Sequence, residues 1–373
     1  MKILVLSNFG MGLYKFRKEL LNDLIDKGYE VYISLPEDNF TYKLEEIGCK
    51  FIKTNIDRRG INPIKDLKLL FHYLKIIKRI QPDVVLTYTI KPNLFGGIAC
   101  RMNGVPYIAN ITGWGSAFEK NGLVKSVVKF LYKTGIKKAS CVFFQNRTNK
   151  DFILKSNIIT ARSRLIPGSG VNLKEHKLQS YPDNDENINL LFIGRIMKEK
   201  GIEELLEAAK IIKQRYPHVN FNLIGGIEED YSQLLNELGN YDIVNYYGEQ
   251  REIQPFLKKS HATILPSYHE GLSNVLLESA SAGRPVLASK IPGCVETFEE
   301  GTTGLGFKTK SVESLVETIE TFIKLPYEKK KTMGLAGRGK MENEFDRKIV
   351  LDAYLEEINL INEENLLWIS IRK

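Results

Sequence analysis

The sequence predicts an α/β protein of two doubly wound domains, on three observations. Apolar strands alternate with amphipathic helices along both halves, an order that gives a parallel sheet with helices on both faces. At 373 residues with 43% hydrophobic content, the chain exceeds what one core usually holds, so each half is expected to bury its own. Between the halves, residues 167–188 are polar and carry Pro and Gly, as an interdomain linker should.

The first half reads KILVLSN, a helix from about Tyr14 to Lys27, EVYISLP, a helix over 38–47, CKFIKT, a helix over 63–80, and DVVLTYT. TYTIKPN then puts Lys91 where a strand gives way to the small-residue helix LFGGIACRMNG. In VPYIANITGWGSAF, Gly113 and Gly115 bracket Trp114 after an apolar strand, which suggests a loop that packs closely on a sugar ring or a lipid-facing surface. The second half repeats the alternation: INLLFIG, helix 203–215, VNFNLIG, helix 228–238, IVNYYG, helix 252–258, ATILPS, helix 272–282 and PVLAS. Long polar-amphipathic helices follow from about 326 to 364.

Composition narrows the function. Cysteines 49, 100, 141 and 294 show no paired spacing and the five histidines form no HExxH, so neither a disulfide frame nor a zinc site is indicated. MKILVLSNFG is a strand entering a turn rather than a signal peptide, and no stretch has the length to cross a bilayer. A reduced cytosolic setting, with only peripheral membrane contact, is expected. Gly10-Met-Gly12 invites a dinucleotide reading, but Lys15 takes the place of the third glycine and no acidic residue closes the second strand.

The chemistry is expected at residues 265–288, LPSYHEGLSNVLLESASAGRPVLA, where a strand meets a glycine turn that opens into a helix. Gly271, Leu272, Ser273, Asn274 and Val275 fall at the helix start, whose unpaired N–H groups and partial positive charge suit a phosphate. Glu270 precedes the turn and Glu278 follows about one turn into the helix, so each is placed to hold a different sugar. In INLLFIGRIMKEKG (188–201), the strand ends at Gly194 with Arg195 and Lys200 ahead of the next helix. Two fixed cations there would stabilise the growing charge of a departing nucleoside diphosphate.

These residues resemble the retaining glycosyltransferases of family 4: E-G-L-S-N-V-L-L-E matches the Glu-x7-Glu motif and G-R-I-M-K-E-K-G the phosphate-binding Arg and Lys. R-L-I-P-G-S-G-V-N, L-I-G-G (ending at Gly226) and I-P-G-C-V-E look like further landmarks in the expected order, so the resemblance spans nearly the whole chain. It implies the GT-B fold, two Rossmann-like doubly wound α/β domains facing a central cleft. The domains would be 1–170 for the acceptor and membrane, 171–187 as linker, 188–345 for the nucleotide sugar, and 346–373 returning to the first domain. It implies catalytic roles for Arg195, Lys200 and Glu270, with Gly12, Gly194, Gly226, Gly271–Val275 and Glu278 around the donor. Glu270 would reach the donor sugar and Glu278 the ribose. Acceptor contacts are expected from Arg17, Lys91, Asn110, Thr112, Gly113 and Trp114, although an exposed surface arginine is the commoner explanation for Arg17. Many members carry a histidine in this region; this chain has none between His72 and His176, so Asn110, Thr112 or the loop backbone must substitute. No metal or cofactor is implied, and Asp183-x-Asp185 is read as a chance match in a solvated linker.

The implied reaction moves a hexose or N-acetylhexosamine, with N-acetylgalactosamine or N-acetylglucosamine from UDP foremost, onto a polyprenyl-diphosphate-linked glycan in capsule, O-antigen or lipid-linked oligosaccharide synthesis. A soluble transferase with a small-molecule acceptor, or a non-catalytic nucleotide-sugar binder, is the alternative. Charge favours a membrane partner. Residues 1–170 hold 28 Lys+Arg against 13 Asp+Glu, a net of +15, whereas the remainder is net −7. Nucleic acid is the weaker explanation, because interleaved exposed aromatics are not expected in the basic stretches and no recognisable nucleic-acid fold is present. Lys125, Lys129, Lys133 and Lys137 recur every fourth residue and occupy one helical arc, with Leu123, Val127, Phe130 and Leu131 expected on the opposite, docked arc. Helix 63–80 has the same character, with Lys65, Lys68, Lys75, Lys78 and Arg79 beside Ile64, Leu67, Phe71 and Leu74.

Overall fold

The computed structural model describes residues 1–57, 62–112, 130, 132–155, 162–184 and 187–371, with the backbone alone for 366–371. Two compact units emerge: Met1–Ser169 with Lys348–Lys373, and Gly170–Arg347. Each is built on a wholly parallel sheet, so both halves are α/β as expected.

In the first unit the strands are β1 (Lys2–Leu6), β2 (Glu30–Leu35), β3 (Lys50–Lys53), β4 (Val84–Tyr88), β5 (Tyr107–Ile111), β6 (Cys141–Phe144) and β7 (Arg162–Leu165). Their spatial order is β3-β2-β1-β4-β5-β6-β7. Alternation along β1 sends Ile3 and Val5 to one face and Leu4 and Leu6 to the other, and both faces are covered. The Ile3 face takes α1 (Gly10–Asp26), α2 (Thr41–Glu46) and the last helix of the chain, Arg347–Ile371. The Leu4 face takes α3 (Pro63–Ile80), α4 (Gly97–Asn103), helical residues 132–136 and α5 (Arg147–Lys155).

Helix α3 starts where local chemistry requires it. The Asn62 side chain accepts from the Ile64 and Lys65 amides, and Pro63 stands at a position whose N–H has no helical partner. Its buried side is Leu69, Tyr73, Ile76, Ile77 and Ile80, whereas Ile64, Leu67 and Phe71 are 69%, 52% and 55% exposed. This overturns the expected docking of those three, because the helix turns its β-branched and tyrosine arc to the sheet instead. Phe130 likewise points outward, 67% exposed, while Tyr132 and Ile136 are buried. Lys133 and Lys137 are exposed. Lys125 and Lys129 lie outside the described residues, as do Gly113, Trp114 and Asp185.

The second unit has β8 (Ile188–Ile193), β9 (Val219–Ile224), β10 (Val244–Tyr246), β11 (Ala262–Leu265), β12 (Val286–Ser289) and β13 (Gly304–Phe307), in the order β10-β9-β8-β11-β12-β13. Its helices are α6 (Ile202–Arg215), α7 (Ser232–Asn240), α8 (Gln254–Lys259), α9 (Asn274–Ser281), α10 (Val312–Lys324) and α11 (Tyr327–Glu344), and the chain ends with α12, the Arg347–Ile371 helix.

Residues 171–187, expected as a solvated linker, are mostly exposed where described, yet they belong to this compact unit and are tied to it at a few points. Val171 is buried and its amide donates to the Phe345 carbonyl. The Tyr181 hydroxyl donates to the His261 carbonyl at 2.8 Å. Arg284, fully buried, donates from Nη2 to the Ser180 carbonyl at 2.6 Å and from Nε to Leu257 at 2.7 Å. The polar composition thus matches the exposure of the segment, while Arg284 fixes it to the unit through its donors. All four cysteines are buried and unpaired.

Candidate functional site

In the second unit the chain winds outward through β8, β9 and β10, then returns to β11 beside β8. A crevice forms where such an order reverses, outside the carboxyl ends of the adjacent strands. Arg195 and Lys200 follow β8, and Glu270 follows β11. Sequence reasoning thus chose residues from the two strands that flank the reversal.

Lys200 and Glu270 are brought together: Lys200 Nζ donates to Glu270 Oε1 at 2.5 Å, the side chains being 20% and 13% exposed. The Tyr268 amide donates to the Glu199 carbonyl at 2.9 Å, tying the two loops. Arg195 is more open, 48% exposed, with Nη1 3.5 Å from Glu228 Oε1. Among the described residues both cations therefore rest on carboxylates, and an arriving diphosphate would compete with those partners.

Helix α9 supplies the other wall. Ser273 is its N-cap, accepting from the Leu276 amide, and the Ser273 N–H donates to the Gly293 carbonyl at 2.9 Å. Ser273 is thereby spoken for, and Leu272 is a core residue. Asn274, Val275 and Glu278 form the half-exposed side of the helix, at i, i+1 and i+4. The Asn274 and Glu278 side chains consequently share one face, next to the helix end at which the first-turn amides point along the axis. Gly293 has φ +87 and a side chain there would fall 2.6 Å from the Glu270 carbonyl, so the I-P-G-C-V-E loop backs directly onto the Glu-Gly turn.

The L-I-G-G landmark divides its labour. Gly225, at φ +148, approaches the Gly194 carbonyl so closely that a Cβ would lie 1.8 Å from it, whereas Gly226 has only Glu249 Oε2 near, at 3.6 Å. Gly194 and Gly225 let β8 and β9 release their loops side by side, and Gly226 borders open space.

His176 was missed. Its Nε2 lies 3.9 Å from Glu278 Oε1, and its Nδ1 pairs with Gln254 Nε2 at 2.8 Å. Arg338 Nη1 donates to the His176 and Ser281 carbonyls at 2.9 and 3.0 Å. A lone histidine in a polar segment carries no sequence signal for this placement.

In the first unit the expected acceptor residues fare unevenly. Arg17 is not a surface arginine: it is 5% exposed, with its guanidinium 5.3 Å from the Tyr88 ring and 5.5 Å from the Tyr354 ring. Asn110 is held on every side. Its carbonyl accepts from Asn93, its Nδ2 donates to the Thr87 carbonyl and its Oδ1 accepts from the Tyr354 hydroxyl. These bonds tie β4 and β5 to the last helix and engage the side chain that was expected to face a sugar. Lys91 donates to Asp66 at 2.6 Å. Thr112 is half-buried. At the start of α1, the Asp38 carboxylate accepts from the Gly10 and Met11 amides at 2.6 and 3.3 Å, and Gly12 leaves room for the Phe9 ring. The protein's own carboxylate thus takes the helix-end amides beside Gly12, the residue expected around the donor. A cavity of about 810 Å³ lies beside α3, lined by Lys53, Lys65, Asp57 and His72 among others. Lys53 is paired with Glu37 and Lys65 with Asp57, so it presents little net charge. No cluster of three potential metal ligands occurs among the described residues.

Residues 174–340 match the model for glycosyl transferases group 1, and residues 2–146 match glycosyl transferase 4-like. The N,N'-diacetylbacillosaminyl-diphospho-undecaprenol alpha-1,3-N-acetylgalactosaminyltransferase of Campylobacter jejuni is 30% identical over 374 residues, covering 95% of this chain and 98% of that protein. The UDP-Gal:alpha-D-GlcNAc-diphosphoundecaprenol alpha-1,3-galactosyltransferase of Escherichia coli is 28% identical, covering 70% of this chain and 71% of its own. Among solved structures, Anabaena HepE in complex with UDP and glucose superposes with a TM-score of 0.77 at 19% identity, over 96% of this chain and 99% of that one.

Proposed function

Because the chain belongs to the GT-B glycosyltransferases of the group 1 and 4-like families, we propose that it transfers an N-acetylhexosamine or hexose from a UDP sugar to a polyprenyl-diphosphate-linked glycan. N-acetylgalactosamine is the foremost donor sugar, with N-acetylglucosamine next. The observation that carries the reading is the Lys200–Glu270 pair at the sheet reversal, beside the half-exposed first turn of α9.

In this reading the diphosphate lies against the Asn274 and Val275 amides, with Lys200 and Arg195 released from their carboxylates to face it. Glu278 holds the ribose and Glu270 the hydroxyls of the donor sugar. As the bond from the anomeric carbon to the diphosphate oxygen breaks, negative charge grows on that oxygen, and preorganised cations and amides stabilise it without rearranging. The acceptor hydroxyl attacks the same face and gives its proton to the departing diphosphate, so the anomeric configuration is retained and no covalent enzyme intermediate is needed. In this reading the acceptor's lipid ties the reaction to the cell membrane, on its inner face, with the protein bound peripherally; no described helix is long and apolar enough to cross one.

The test is a panel of nucleotide sugars assayed by release of nucleoside diphosphate with detergent-solubilised polyprenyl-linked acceptors. UDP release is expected with an N-acetylhexosamine donor and a lipid-linked acceptor. Turnover confined to small soluble acceptors would replace this reading with the soluble alternative.

A further inference from the structure

The two faces of the first sheet are covered by different kinds of helix. On the Leu4 face, α3, α4 and residues 132–138 expose Lys65, Lys68, Lys75, Lys78, Arg79, Arg101, Lys133, Lys137 and Lys138. Among the described residues of these elements the one acid is Asp66, and it is bonded to Lys91. The opposite face, covered by α1, α2 and α12, mixes both signs.

Charge is only half of the pattern. At about 100° per residue, Ile64, Leu67, Lys68, Phe71, Lys75 and Lys78 fall within an arc of about 100° on α3, opposite the buried Leu69, Tyr73, Ile76, Ile77 and Ile80. Three large apolar side chains, each more than half exposed, thus stand in line with three lysines. Met102 of α4 and Phe130, 66% and 67% exposed, belong to the same layer. A solvated face has no use for such a row of apolar groups. Nucleic acid would satisfy the lysines and could stack a base on Phe71, but it would leave Ile64 and Leu67 in water. A second copy would bring two cationic faces together. An anionic bilayer meets both demands, because apolar tips enter the headgroup–acyl boundary while ammonium groups reach lipid phosphates.

We propose that α3 is the membrane-docking helix, lying in the plane of an anionic bilayer with Ile64, Leu67 and Phe71 inserted and Lys68, Lys75 and Lys78 on the headgroups. The purpose of this contact rests on the lipid-linked acceptor proposed above, whereas its geometry does not. Docking by α3 assigns the role to a different helix from the lysine arc at 125–137.

The test uses the full chain and two kinds of vesicle, pure phosphatidylcholine and phosphatidylcholine with one third phosphatidylglycerol. Binding is expected only to the second kind, weakening as salt rises. Ile64→Ser/Leu67→Ser/Phe71→Ser should lower partitioning at least about tenfold, with UDP release in detergent unchanged. Lys68→Gln/Lys75→Gln/Lys78→Gln should lower it comparably and flatten the salt dependence. A serine variant that partitions like the parent overturns the proposal, as does a parent that binds duplex DNA but neither vesicle. Vesicle binding without any transfer to lipid-linked acceptors would sink the proposed reaction and leave the docking face standing. Transfer in detergent by a parent that ignores both vesicles would do the reverse.

Discussion

Replacing Lys200 by alanine probes the centre of the reading. Its ammonium sits 2.5 Å from Glu270 Oε1 and both side chains are mostly buried. The substitution removes a cation meant for the departing diphosphate and strands a carboxylate in the same crevice. Losing one fixed donor from a developing anion costs about 2.7–4 kcal/mol, or two to three orders of magnitude in kcat. The stranded charge adds to this: two unit charges about 5 Å apart at an effective dielectric near 20 repel by about 3 kcal/mol. Glu270→Gln alone should also slow turnover, by loss of the sugar contact. In the Lys200→Ala background, however, the same change removes the repulsion, so the double variant should be no slower than Lys200→Ala and the cycle should show a coupling of about 1–3 kcal/mol. The assay is UDP release at saturating donor and acceptor, with thermal melts to verify folding. A Lys200→Ala enzyme with near-parental kcat, or effects that simply add, would reduce the pair to a structural ion pair and refute the reasoning.

Arg195→Ala should lower kcat about a hundredfold by the same argument, and normal turnover would remove Arg195 from the site. Glu278→Gln should mainly raise the KM for the donor, since a ribose contact is made equally in ground and transition states; an effect on kcat alone would contradict the assignment. Activity should survive EDTA, and abolition with rescue by magnesium would reopen the question of Asp183 and Asp185. Arg284→Ala should destabilise the second unit by about 3 kcal/mol or more, seen as a lower melting midpoint. Burial already pulls this guanidinium down to about 10, and its loss takes a donor from the Ser180 carbonyl and leaves Leu257 with the Ser260 amide.

The two-sheet architecture, the strand–helix order and the residues that gather at the β8–β11 reversal were legible because each is written locally. Strand periodicity, the glycine turn before Ser273 and the i, i+4 relation of Asn274 to Glu278 depend on residues a few positions apart. Other features join residues far apart in the chain, and no local pattern encodes them. Asn110 is claimed by Tyr354, 244 positions away, and Arg17 is enclosed by Tyr88 and Tyr354. Arg162 and Arg164 of β7 bind Glu357 and Glu364 of α12.

The sequence by itself determined that α3 is a basic amphipathic helix; it could not determine which arc meets the sheet. Periodicity offers two apolar arcs, one through Ile64, Leu67 and Phe71, the other through Leu69, Tyr73, Ile76 and Ile77. Tertiary packing chose the second, which fills the space over Leu4, Leu6 and Val85. A helix buries the side whose shape completes the core, and apolar residues left over are turned to the surroundings, where they decide what the protein can rest upon.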